Sequence, residues 1–140
     1  MRMKQILITL LIFCSGQSYG QINFSVIEKG NLPNGLQYSG SIKVAYKWSD
    51  NLGLNYVLLT ETGEFRSKTA GEEEGKNKAL YAYHFVQKPD SVNLVWRVYD
   101  FQKECPFDIL LHFIDSAFTI TDLDKNGIAE IWVMYITLYK

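Results

Sequence analysis

The sequence is poor in the residues that announce a reaction. It holds two histidines and two cysteines in 140 residues, and no Cys–His pairing or phosphate loop occurs in it. His84 and His112 each fall inside an apolar stretch, His112 between Leu111 and Phe113. A strand-face imidazole with one hydrogen-bond partner is the ordinary reading of such a position, ahead of a catalytic base. A glycosidase would need two carboxylates about 5–9 Å apart in a cleft, and the dense carboxylates here are better explained in other ways. The chain therefore reads as a non-enzyme.

Charge of one sign is also lacking. The formal net charge is −1, which leaves no electrostatic footprint for nucleic acid or an anionic membrane. No apolar run is long enough to span a bilayer, and no stretch carries convincing helical periodicity.

What is present begins with the anatomy of an export signal over residues 1–20. Arg2 and Lys4 form a positive start, Ile6 to Phe13 an apolar run, and Ser18-Tyr19-Gly20 a cut pattern before Gln21. Cys14 raises a lipoprotein alternative, but Phe13 stands where the small residue before a lipidated cysteine belongs. Export predicts a periplasmic, cell-surface or extracellular protein. Removal of Arg2 and Lys4 takes the 14 basic residues to 12 against 15 acidic ones, a net charge of −3. About 120 residues then remain, enough for one domain over 21–140. Only Cys105 survives in that part. In an oxidising compartment it is buried and inert, pairs between chains, or lacks its partner.

The mature chain is a series of strand signals. Ile42, Val44, Tyr46 and Trp48 alternate with Lys43, Ala45 and Lys47, period two with one apolar face. Ser49 to Gly53 supplies a turn and Leu54 to Thr60 a returning strand. Before that hairpin, Phe24 to Ile27 reads as a short strand, followed by Gly30, Pro33, Asn34 and Gly35, which punctuate rather than pack. Residues 61–77, with Glu72-Glu73-Glu74, read as a solvated loop. Leu80 to Gln87 and Val92 to Phe101 form another hairpin pair across Lys88-Pro89-Asp90, with Val92, Leu94, Trp96 and Val98 on one face. Phe107, Ile109, Leu111 and Phe113 mark a further strand. Ile131 to Thr137 is apolar on both faces, as a central or sandwich-core strand would be. The expectation is an all-β fold: a single antiparallel sandwich or strongly curved sheet of about seven or eight strands. The chain stops directly on a strand at Leu138-Tyr139-Lys140, which predicts a C-terminal truncation.

One stretch asks for a ligand. In Asp122-Leu-Asp-Lys-Asn-Gly-Ile-Ala-Glu130, oxygen-bearing side chains recur at Asp122, Asp124 and Asn126, Gly127 permits a positive-φ turn, Ile128 can offer its carbonyl, and Glu130 can close the shell. Hard oxygen donors in a short loop suit Ca²⁺ rather than Zn²⁺ or copper. The loop is not an EF-hand, because the twelfth position from Asp122 is Val133 rather than a bidentate Glu. Its spacing resembles the calcium loops of integrin-type (FG-GAP) β-propeller blades, although one copy makes no propeller. A plain Asn-Gly hairpin turn is the alternative.

The run Ile120 to Tyr135, with the export signal and Cys105-Pro106-Phe107-Asp108, resembles a family of secreted flavobacterial proteins labelled surface polysaccharide biosynthesis proteins. That resemblance covers about the last 35 residues and carries no catalytic motif. It implies a cell-envelope setting with a polysaccharide or an envelope protein as partner. Members of the family continue through a segment that includes a cysteine, which implies a lost disulfide partner for Cys105.

Two roles follow. The first is a calcium-binding, non-catalytic envelope module whose rings, Tyr81, Tyr83 and Phe85 on one strand face, contact a ligand. The second is a structural or accessory envelope protein in which calcium stabilises the fold. Exposed rings favour the first and buried rings the second.

Overall fold

The computed structural model describes residues 20–66 and 75–139. The export signal up to residue 19 and the run Glu72-Glu73-Glu74 lie outside the described residues. In chain order the strands are β1 (Gly20–Gln21), β2 (Ser25–Val26), β3 (Ser41–Asp50), β4 (Gly53–Glu61), β5 (Phe65–Arg66), β6 (Lys76–Lys88), β7 (Ser91–Cys105), β8 (Ile109–Asp122) and β9 (Glu130–Tyr139). Among the described residues a single 3₁₀ turn, Lys29–Asn31, interrupts them. The fold is all-β, as expected. No helix among the described residues is long and apolar enough to cross a membrane.

The strands form two antiparallel sheets. One has the order β1-β8-β9; the other runs β2-β3-β4-β6, with β7 on the far side of β6 and β5 extending the line of β4. Alternation decides which side chains meet between them. Tyr46 and Trp48 of β3, Val57 and Leu59 of β4, and Leu80 and Ala82 of β6 face Ile109, Leu111, Phe113 and Ile120 of β8. The intervening residues of the larger sheet, Ala45, Tyr56, Leu58, Tyr83 and Phe85, build a second cluster on its opposite face. The segment after β2 covers that cluster: Ile27, Leu32, Leu36 and Tyr38 pack onto it. Leu32 and Leu36 thus pack between residues read as mere punctuation, because the sheet's second face must also leave water.

Register irregularities change which residues share a face. In β3 the shift between Ile42 and Val44 puts Ile42 with the buried Ala45 on the outer cluster while Val44, Tyr46 and Trp48 face the other sheet, so the single apolar face expected for Ile42 to Trp48 is split. The β6–β7 register shifts between His84 and Phe85, pairing His84 with Trp96 but Phe85 with Leu94. The extra residue, Val95, reverses the alternation, as a β-bulge does. Val92 therefore packs with Phe85 on the outer cluster while Trp96 packs with the inter-sheet core, and the single face expected for Val92, Leu94, Trp96 and Val98 is split. In β8 the register shifts between Phe113 and Phe118, which keeps Phe113, Phe118 and Ile120 on one side of an otherwise broken period.

The strand at Ile131 to Thr137 is not central: its inner residues Ile131 and Val133 pack on the inter-sheet core, but it lies at an edge. Among the described residues β9 pairs with β8 alone, and its outward side chains Trp132, Met134 and Leu138 are exposed. Apolar content on both faces does not count neighbours, so it cannot distinguish a central strand from an apolar edge.

Cys105 is buried in the inter-sheet core, the inert option of the three open to it. Its thiol should resist labelling in the native chain and accept label on denaturation; labelling of native protein at the denatured rate contradicts this placement. A register test is also available. Leu111→Ala should cost about 2–5 kcal/mol in a urea melt, and Leu110→Ala, one residue away on the outer face, less than about 1 kcal/mol.

Candidate metal centre

The loop between β8 and β9 folds on its own side chains. Asp122 Oδ2 accepts from the Gly127 amide at 3.1 Å, Asp124 Oδ1 from the Asn126 amide at 3.2 Å, and Asn126 Oδ1 from the Ile128 amide at 2.7 Å. The last two are Asx turns, in which a short polar side chain caps its own backbone two residues on. Lys125 at φ 58° and Gly127 at φ 77° supply the left-handed conformations that let the chain reverse. Glu130 returns across the loop: its carboxylate accepts from the Leu123 amide at 2.9 Å and from the Thr121 hydroxyl at 3.0 Å. These bonds, the Leu123 amide foremost, hold its pKa below the ordinary carboxylate value.

The result is convergence. One carboxylate oxygen each from Asp122, Asp124 and Glu130 lie within 4.8 Å of one another. Oxygens that share a Ca²⁺ at about 2.3–2.6 Å cannot lie further than about 5 Å apart, so the three fit a single ion. Asp122 Oδ1 adds an independent sign, being buried without a hydrogen-bond partner; a buried acceptor in that state is costly unless a cation or water meets it. The other two expected donors are placed less directly. Asn126 turns its Nδ2 toward Asp124 Oδ2 at 2.8 Å, so its amide must reorient to offer oxygen there. Ile128 is exposed and its amide is engaged by Asn126.

The sequence reading missed what stands behind this loop. The β3–β4 turn lies against it: the Asn51 amide donates to the Gly127 carbonyl at 2.8 Å, and Asn51 Nδ2 to the Asn126 carbonyl at 3.0 Å. A Cβ on Gly127 would fall 2.0 Å from Asn51 Nδ2, so the close approach requires glycine. Asp50 Oδ2 accepts from the Ala129 amide at 3.1 Å and from Trp48 Nε1 at 3.0 Å, while Oδ1 accepts from the Leu52 amide and Asn55 Nδ2, both at 2.8 Å. Burial works to raise the Asp50 pKa, but these four bonds outweigh it and hold the carboxyl below its ordinary value. Nothing in the sequence joins Asp50 to Ala129, 79 positions away.

Behind Asp50 the network reaches the core. Asn55, fully buried, spends its Nδ2 on Asp50 and the Gly53 carbonyl, so its Oδ1 meets His84 Nε2 at 2.8 Å as acceptor. His84 is therefore the Nε2–H tautomer, and its Nδ1 is buried with no partner. The ring stacks on Trp48, 5.3 Å between centroids, and tilts against Trp96. His84 is a neutral core histidine with one hydrogen-bond partner.

The aromatic residues singled out on β6 divide. Tyr83 and Phe85 are each 3% exposed beneath the Ile27 to Tyr38 segment, and Tyr83 Oη accepts the Ser39 amide at 3.0 Å. Tyr81 is half-buried and stacks on Tyr99, 5.1 Å between centroids. The stack continues through Phe101 to Phe65. Its solvent-facing members are Tyr99 and Phe65, neither of which the alternation of β6 could indicate.

Burial pushes the His84 pKa down to about 4, against partial opposition from Asp50. The unfolded chain, at about 6.5, takes up the proton first. Stability that is complete above pH 6.5 is therefore lost progressively as the pH falls toward 4. Thermal melts at pH 7.5, 6.5 and 5.5 should show the decline, and His84→Gln should flatten it; equal slopes in the two proteins contradict the assignment. Comparison with protein-family models, curated proteins and solved structures gave no match, so the reading of the loop rests on this chain's own geometry.

Proposed function

We propose that this chain is an exported, non-catalytic calcium-binding β domain of the cell envelope. The observation that carries the reading is the convergence of the Asp122, Asp124 and Glu130 carboxylates within the reach of one ion, beside a buried, unpartnered Asp122 oxygen. Ca²⁺ suits such a site because it accepts many oxygen donors in flexible geometry, whereas Mg²⁺ dehydrates reluctantly and demands a stricter octahedron. The ion neutralises carboxylates that otherwise repel, and it does so where the loop meets the other sheet. Of the two envelope roles, the structural or accessory one has the better support, since Tyr83 and Phe85 are covered. A module that contacts polysaccharide or an envelope protein would use Tyr99 and Phe65 instead.

The test is a thermal melt with chelator, calcium or magnesium. At calcium ten times above the dissociation constant, linkage adds about 1.4 kcal/mol, a rise of several degrees in a domain of this size. Asp124→Ala should abolish the rise and leave the chelator value nearly unchanged, and magnesium should substitute poorly. Equal melting points in chelator and in several millimolar calcium would show a plain turn.

A further inference from the structure

We infer that Asn51, on the β3–β4 turn, is the positioning residue of the cation site: it holds the loop in its ion-accepting conformation without itself contacting the ion. The inference rests on the calcium reading of the loop. The loop belongs to the strands of the smaller sheet, and the turn to the larger one. Asn51 spans the gap with two bonds to successive loop carbonyls, those of Asn126 and Gly127. It thereby fixes the Asn126–Gly127 and Gly127–Ile128 peptide units, which flank two of the expected ligands, Asn126 and Ile128.

Three features make the turn a rigid post. Asp50, the neighbour of Asn51, has all four bonds satisfied and takes one of them from Ala129 on the loop's exit side. Asn55 ties Asp50 to the buried His84. The contact is close enough that any side chain at Gly127 would collide with Asn51. A loop free of that post would spread its carboxylates, and the binding energy of the ion would have to cover the ordering of the loop. Outer groups that orient metal ligands are typically worth about 10–100-fold in affinity. Asn51 is exposed, so replacing it leaves the core intact.

Calcium titrations of the whole chain by calorimetry, on wild type, Asn51→Ala and Asp124→Ala, test this together with melts in chelator. The expected result is saturable binding by the wild type, binding weaker by about tenfold or more in Asn51→Ala, and none in Asp124→Ala. An Asn51→Ala protein that binds as tightly as wild type overturns the inference, whatever its melting point in chelator, because the turn would then serve stability alone. A wild type that takes up no calcium at several millimolar removes the calcium reading, and this inference with it.

Discussion

One carboxylate, anchored by three hydrogen bonds in its own sheet, takes a fourth from the other sheet's loop and ties the two together at that end. Asp50 gathers Trp48, Leu52 and Asn55 from its own sheet and Ala129 from the other. Apolar contact between the sheets is not directional; it would tolerate sliding of one face over the other. A charged acceptor with fixed donors on both sides does not. Hydrogen bonds to a charged group contribute about 1.5–3 kcal/mol each in favourable settings, so Asp50, together with Glu61, whose carboxylate accepts from the Phe113 amide of the other sheet at 3.0 Å, fixes a relative placement that the core alone leaves soft. The 122–130 loop depends on that placement, because residues 50 and 51 bond its Asn126 and Gly127 carbonyls and its Ala129 amide.

The histidine behind Asp50 fits the same logic. A neutral imidazole donates to Asn55, Asn55 donates to Asp50, and the chain of donors ends on a charge. An apolar residue at position 84 would leave Asn55 Oδ1 unmet in a dry core, at a cost of about 1–3 kcal/mol. His84 is thus explained by structure, and no reaction has to be invoked for it.

How far the sequence reveals this arrangement depends on whether a feature is local. The strand at 42–48 and the Asx pattern of 122–130 are written in neighbouring residues and can be read directly, but the register shift that puts Ile42 with the buried Ala45 on the outer cluster cannot. The bulge at Val95 leaves no mark in composition, yet it moves Trp96 to the inter-sheet core and strands Val92 on the outer cluster. The covering of Tyr83 and Phe85 depends on Leu32, Leu36 and Tyr38 folding back over them, a contact across the sequence that periodicity does not register. Asp50 and Asn51 look like ordinary hairpin-turn residues. Their part in the site appears only when the second sheet brings Gly127 and Ala129 against them.

The central claim is that the 122–130 loop is a cation site buttressed by the 50–52 turn. Backbone amide NMR of the isotope-labelled chain, titrated with calcium, addresses both halves at once. The account predicts saturable shifts at Leu123, Asn126, Gly127 and Ala129, accompanied by shifts at Asn51 and Leu52 that follow the same binding curve. Unsaturable changes scattered over all exposed acidic residues, or no change at either segment, would contradict it.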